Sequence, residues 1–341
     1  MDQALPLPLS EASLAGDASR GGDRLALAER LAECTANPEA MLQAARFFPL
    51  EGRRDRAIDT LRQAMLANPR DIEILSFFAD LLSRSGAFEE ADRIFRQALD
   101  LDPAHTETWY RSGLHAGRQG LLAAARDAYE ATVRHDARHV RAWVNLGLSR
   151  ADLGERDAAR RALERAVTVD PACAEAHTNL GILYMESGLR EEAIAELRDA
   201  VRIQPESAES HFNLGWALLA HEELEQAETS LEVATRFDPR NAETLYALAL
   251  LHLKVGKNAA AVNDLKSAIA LRPDDGRLHY HLAIAYNKIE AVDQAILALE
   301  TAARLLPDDP RVQRLLGVAY DKKELPTRAR EAYRRAAELG G

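Results

Sequence analysis

Two cysteines in 341 residues, Cys34 and Cys173, stand far apart, so the chain has neither a disulfide framework nor a CxxC metal motif, and the usage suits a reducing compartment. No apolar run is long enough to span a membrane, and the opening MDQALPLPLSEASLAGDASRGG has no basic n-region followed by an apolar stretch. A cytoplasmic protein without membrane insertion is therefore expected. Basic charge is scarce: 43 Lys and Arg against 54 Asp and Glu give a net charge of −11, which disfavours nucleic acid as a partner, because phosphate neutralisation needs a broad basic surface. Strand-rich segments are missing too. So are a Walker loop, a GxGxxG after a strand, an HExxH and a GxSxG elbow, and no enzyme activity, cofactor or metal is expected.

What is present is a period. Ala57, Ala91, Ala125, Ala159, Ala193, Ala227, Ala261, Ala295 and Ala329 fall thirty-four residues apart. A second ladder, Pro69, Pro103, Pro171, Pro205, Pro239, Pro273 and Pro307, runs in step and is broken only by Ala137. A third runs from Ala64 to Ala336 with Thr132 as its one exception. Three columns in register mark a repeat architecture, whose units bury their apolar faces only by stacking on one another. Within residues 174–207, Leu180, Tyr184, Ala193, Ile194, Leu197, Ala200 and Val201 recur at three- and four-residue spacing, the pattern of two amphipathic helices. Gly188 marks the turn between them. Gly181 and Ala193 are small enough to let the helices approach closely, and Pro205 ends the second one because its nitrogen cannot donate and its ring clashes with the preceding turn.

Trp143, Leu146, Gly147, Ala159, Leu163, Ala166 and Pro171 in one period, and Leu180, Gly181, Tyr184, Gly188, Ala193, Ala200 and Pro205 in the next, resemble the tetratricopeptide repeat, with His177 at the Trp position. The resemblance implies an all-α, right-handed superhelix of nine hairpins, with units starting at Pro38, Ile72, Thr106, Val140, Ala174, Ala208, Ala242, Gly276 and Pro310. Residues 1–22, rich in Ser, Gly, Ala and Pro, read as a disordered tail. Residues 23–37, with Leu25, Leu27, Ala28 and Leu31 in a stripe, read as a half-repeat that caps the first hairpin.

In this family the first helix of each hairpin lines a concave groove, which implies groove residues at the second, fifth, sixth, ninth, twelfth and thirteenth positions of each unit. The sixth position carries Asn145, Asn179 and Asn213 in consecutive repeats. An amide offers a donor and an acceptor together and can pair with any peptide backbone; the row resembles the asparagine ladder of protein O-GlcNAc transferases. Phe212, Tyr246 and Tyr280 at the fifth position and Trp216 at the ninth, flanked by Ile182, Leu250 and Ile284, form an aromatic zone expected to be partly exposed. Lys254, Lys288 and Lys322 repeat at the thirteenth position, where the helix dipole alone would also favour lysine, and with Arg277, Arg311 and Arg314 they form a basic zone expected to take part in peptide binding. Arg277 and Arg311, beside Arg314, sit near helix starts where the dipole is unfavourable, so they are expected to receive an acidic part of a ligand. The carboxylate clamp of chaperone-binding relatives is not reproduced. His177 and His211 read as packing residues, and His279 and His281, two apart on a helix, as unable to share a metal.

The expected function is a scaffold or adaptor that binds an extended protein or peptide segment, with an acidic part, in its groove. Two other readings share the sequence. One is a substrate-recognition module for a glycosyltransferase-like or other enzyme assembly, encoded separately or cut from a longer chain. The other is a self-assembling homo-oligomer in which Leu5, Pro6, Leu7, Pro8 and Leu9 of the tail occupy the groove of another copy.

Overall fold

The computed structural model describes residues 28, 29, 31–33, 38–47 and 53–340, so the tail at 1–22 and Cys34 lie outside the described residues. Among the described residues there are eighteen helices from Pro38 to Glu338 and no strand. They alternate as the first (A) and second (B) helix of successive hairpins. From the second hairpin to the eighth, A helices are 13 residues long and B helices 14.

The chain divides into two units, residues 1–162 and 163–341. Unit 1 holds the A helices Pro38–Phe47, Ile72–Arg84, Thr106–Arg118 and Val140–Asp152 and the B helices Arg54–Ala67, Phe88–Leu101 and Leu122–His135. The division falls within the next B helix, Arg156–Val169. Unit 2 continues with the A helices Ala174–Glu186, Ala208–Ala220, Ala242–Lys254, Gly276–Lys288 and Pro310–Lys322, each followed by its B helix: Arg190–Ile203, Leu224–Phe237, Asn258–Leu271, Val292–Leu305 and Pro326–Glu338.

The alanine ladders lie where the helices meet. Every member of the first and third ladders is buried, and Thr132, the exception, is buried as well, its hydroxyl donating to the Ala128 carbonyl at 2.9 Å. That bond removes the cost of a hydroxyl in an apolar column. Close approach is strict at the eighth position of the A helix: a Cβ on Gly181 would stand 2.6 Å from Leu197 Cγ and 3.2 Å from the Ala193 carbonyl oxygen. The B helix of each of these hairpins ends just before its proline, as Ile203 does before Gln204 and Pro205.

Each A helix of the later hairpins starts on a polar cap. Asp71, His105, His139, Ser207, Asn241, Asp275 and Asp309 accept a backbone N–H of the first turn, whereas Cys173 does not. Such a cap contributes about 1 kcal/mol. In five hairpins the residue between A and B is a glycine at positive φ, as at Gly188; Glu222, Glu290 and Glu324 take the same left-handed conformation in three others.

In unit 1, Ala28 and Ala32 are buried in a core with Met41, Leu42, Leu61, Ile74 and Phe78, and Glu29 pairs with Arg53 and Arg56. Leu31, also of the segment 23–37, packs half-buried against the same core, while Leu25 and Leu27 lie outside the described residues. In unit 2, Leu197, Leu214, Leu218, Leu231 and Leu248 form one core and Leu265, Leu278, Leu299, Val312 and Tyr320 belong to another. Each such leucine, fully buried, stabilises the fold by roughly 1.5–3 kcal/mol.

Candidate functional site

The A helices of unit 2 present an apolar row at their ninth positions. Ile182, Leu250 and Ile284 are half-buried, while Trp216 (40 % exposed) and Val318 stand further out. Phe212 lies one turn before Trp216, and their rings stack at 6.4 Å with 30° between planes. Val318 was not singled out from the sequence, although its place in the same column is a signal that could have found it.

Beside this row stand Asn179 and Asn213, both half-buried. Among the described residues neither amide has a hydrogen-bond partner. Asn145, in unit 1, differs: its Nδ2 donates to the Tyr110 hydroxyl at 3.4 Å. The three asparagines that look equivalent in sequence are therefore not equivalent in structure.

The aromatic zone needs one correction. Tyr246 is only 8 % exposed and belongs to the core, not to a partly exposed stripe. Two groups of the next hairpin cover it: the Arg277 guanidinium lies 5.5 Å above its ring, and His281 meets it edge-on with Nδ1 3.3 Å from its hydroxyl. Burial pushes the Tyr246 phenol above its ordinary value. Tyr280 is half-buried, with Arg311 over its ring at 5.8 Å. His281 takes the sixth position, which asparagine holds in earlier repeats, and faces the Arg277 carbonyl at 2.9 Å. Burial lowers its pKa, since the charged ring would lose hydration.

The basic zone needs a second correction, because Arg277 and Arg311 do have a structural account. Arg277 pairs with Asp275 at 2.7 Å and with Glu243 at 3.1 Å, and Arg311 pairs with Asp309 at 2.7 Å. Asp275 and Asp309 are the N-caps of the same helices, and the adjoining guanidinium holds each carboxyl below the usual carboxylate range. A carboxylate at the helix start offsets the unfavourable dipole, and the arginine then neutralises the carboxylate. Lys254 is paired with Glu222 at 2.8 Å. Lys288, Lys322 and Arg314 are exposed and make no ion pair among the described residues. The cationic character of this end rests on those three.

The fourth-position rings share one bond. Trp109 and Trp143 donate to the carbonyls of Pro103 and Ala137, and Nε2 of His211 and of His279 lies 2.9 Å from the carbonyls of Pro205 and Pro273, always six residues back. His177 sits the same way at 3.2 Å from the Pro171 carbonyl and meets Glu196 through Nδ1 at 2.7 Å. Histidine replaces tryptophan here because both present a ring N–H at that spot. Among the described residues no group of three His, Cys, Asp or Glu side chains could hold a metal ion, and no helix is long and apolar enough to cross a membrane.

A family model described as Cilia and flagella-associated protein 70 C-terminal domain matches residues 137–341, and two described as tetratricopeptide repeat match residues 50–110 and 110–155. No curated protein matches the chain. Among solved structures, a chain of the APC/C hetero-tetramer Cut9-Hcn1 is similar at 19 % identity and a TM-score of 0.58; the match covers 83 % of this chain and 56 % of that one, so this chain spans little more than half of that length. A tetratricopeptide repeat protein from Parabacteroides merdae matches at 18 % identity and a TM-score of 0.54, covering 69 % of this chain and 93 % of that one. Identities this low speak to the fold alone. Repeat period, hairpin geometry and family match agree: the chain is a tetratricopeptide-repeat protein, and it belongs to the family of the Cilia and flagella-associated protein 70 C-terminal domain.

Proposed function

We propose that unit 2 is a protein-interaction scaffold that binds an extended segment of a partner along the groove face of its A helices. Stacked helical repeats offer long faces suited to this use. The observation that carries the proposal is the pair of amides at Asn179 and Asn213, on neighbouring A helices, without a hydrogen-bond partner among the described residues and beside the stack of half-buried Phe212 on exposed Trp216. Neighbouring helices pack about 8–10 Å apart, and an extended chain rises about 3.3 Å per residue, so successive amides meet a bound segment about every third residue. Each amide can then donate to a backbone carbonyl and accept from a backbone N–H, whatever the side chains.

The aromatic stack and the apolar row of Ile182, Leu250, Ile284 and Val318 supply the buried contact that such binding needs. An acidic part of the segment would be received by Lys288, Lys322 and Arg314. A segment that is extended before binding loses conformational entropy on docking, so affinity is built from several repeats together.

Capture of partners from native extract by the wild-type chain, beside a chain carrying Asn179→Ala, Asn213→Ala and Trp216→Ala, tests the proposal. Partners should be lost from the variant while its helical content and melting stay unchanged. Identical partner sets would move binding away from this face.

A further inference from the structure

In unit 1 the ninth position of the A helix departs from the repeat pattern in the first two hairpins, and both departures are charged: Arg46, paired with Glu73 at 3.1 Å, and Asp80. The ninth position of the A helix is apolar in each of the seven hairpins from Leu114 to Val318, but in the second hairpin it is Asp80, whose side chain is 5 % exposed. Both of its oxygens are taken by guanidiniums. Arg84 on the same helix reaches Oδ2 at 2.8 Å, and Arg118 on the next A helix reaches Oδ1 at 3.0 Å and the Ser83 hydroxyl at 2.9 Å. The two arginine side chains are 56 % and 30 % exposed. On the helix of Arg118, Arg111 occupies the sixth position, where later repeats carry asparagine, but it is already engaged: it pairs with Glu107 at 2.9 Å and donates to the buried Ser76 hydroxyl at 3.2 Å.

A buried carboxylate is a poor way to gain stability, because an apolar residue of similar size usually serves as well or better. The apolar residues of the later repeats show that this column accepts one. What Asp80 does that leucine could not is fix two guanidiniums from neighbouring helices against each other. The two positive charges answer to one buried negative charge, and the excess faces outward. Each guanidinium carries five N–H donors. Asp80 and Ser83 engage Nη1 of Arg118, and Asp80 engages Nη2 of Arg84, so each fork keeps unspent donors on its exposed side. Two forks held this close match the oxygens of a single carboxylate or phosphate.

We infer that Arg84 and Arg118, positioned by Asp80, form an oxyanion site on the A-helix face of unit 1. Its ligand is an anionic side chain of a partner protein, either a carboxylate or a phosphate monoester. The site stands whether or not unit 2 binds a segment, because no residue is shared.

Titration of the full chain, followed by the 15N-detected Nε–Hε signals of its arginines, decides the matter. The probes are N-acetylglutamate amide, N-acetylphosphoserine amide and, as the uncharged control, N-acetylglutamine amide, at constant ionic strength. Saturable shifts of Arg84 and Arg118 with an anionic probe and none with the control are expected. The stronger of the two anions tells whether the natural ligand is acidic or phosphorylated. Arg118→Gln, which leaves Asp80 paired with Arg84, should raise the apparent dissociation constant at least fivefold. Shifts at Arg84 and Arg118 no larger than at the exposed Arg93, or equal shifts with the glutamine probe, would overturn the inference, and that comparison needs only the wild-type chain.

Discussion

Glu290 has φ of +60°, a conformation that suits glycine and crowds the Cβ of every other residue. Its carboxylate has no ion pair among the described residues, whereas Glu222 in the same conformation is tied to Lys254. Glu290→Gly should therefore stabilise the chain, by up to about 1 kcal/mol in chemical denaturation. Glu222→Gly should gain less, because the pair with Lys254 is lost. At Gly181 the direction reverses: Gly181→Ala places a methyl 2.6 Å from Leu197 Cγ and should cost about 1–3 kcal/mol by overpacking. All three substitutions are read by the same denaturation midpoints. The small residue at Gly181 was legible from the sequence because backbone approach leaves a fixed size in a fixed column. The burial of Tyr246 was not legible, because it depends on which side chains of the next hairpin lie over it, and Arg277 and His281 do. The neutralisation of Arg277 and Arg311 had a signal, an aspartate two residues earlier in each case, but its meaning depended on that aspartate being the helix cap.

Two pH windows separate at the A helices Gly276–Lys288 and Pro310–Lys322 of unit 2. His281 has a lowered pKa through burial, so the folded chain resists a proton that the unfolded chain takes up near the ordinary histidine value of about 6.5. Its contribution to stability is complete above about pH 6.5 and falls as pH drops from there. Asp275 and Asp309 act lower down: their folded-state pKa values are depressed by Arg277 and Arg311, so their contribution is present above about pH 4 and is lost as pH falls through their folded values. In His281→Gln, whose amide keeps a polar group at the spot without titrating, stability measured between pH 6.5 and 5 should decline less than in the wild type. An unchanged slope would show that His281 does not titrate in that range. The helices themselves were readable from the ladders; their caps were less so, because the cap position carries Asp, His, Cys, Ser or Asn and shows no single-letter column.

In an acidic chain of net charge −11, Lys288, Lys322 and Arg314 are cations on the A helices of unit 2 that no carboxylate neutralises among the described residues. Partner affinity should accordingly weaken with added salt if an acidic segment lies there, since exposed charges are screened over about 8–10 Å at 0.1–0.15 M ionic strength. The face itself carries the central claim. Asn179→Ala and Asn213→Ala remove amides with no partner to leave unsatisfied, so stability should change by less than about 0.5 kcal/mol per site. Loss of several bonds to a bound backbone should show at about 0.5–1.5 kcal/mol each. The most direct measurement is calorimetric titration of a captured partner segment into the wild-type chain and into the Asn179→Ala, Asn213→Ala double variant, with thermal melts of both. A roughly tenfold weaker affinity, about 1.4 kcal/mol, with unchanged melting is expected; equal affinities would contradict the assignment of this face as the binding site.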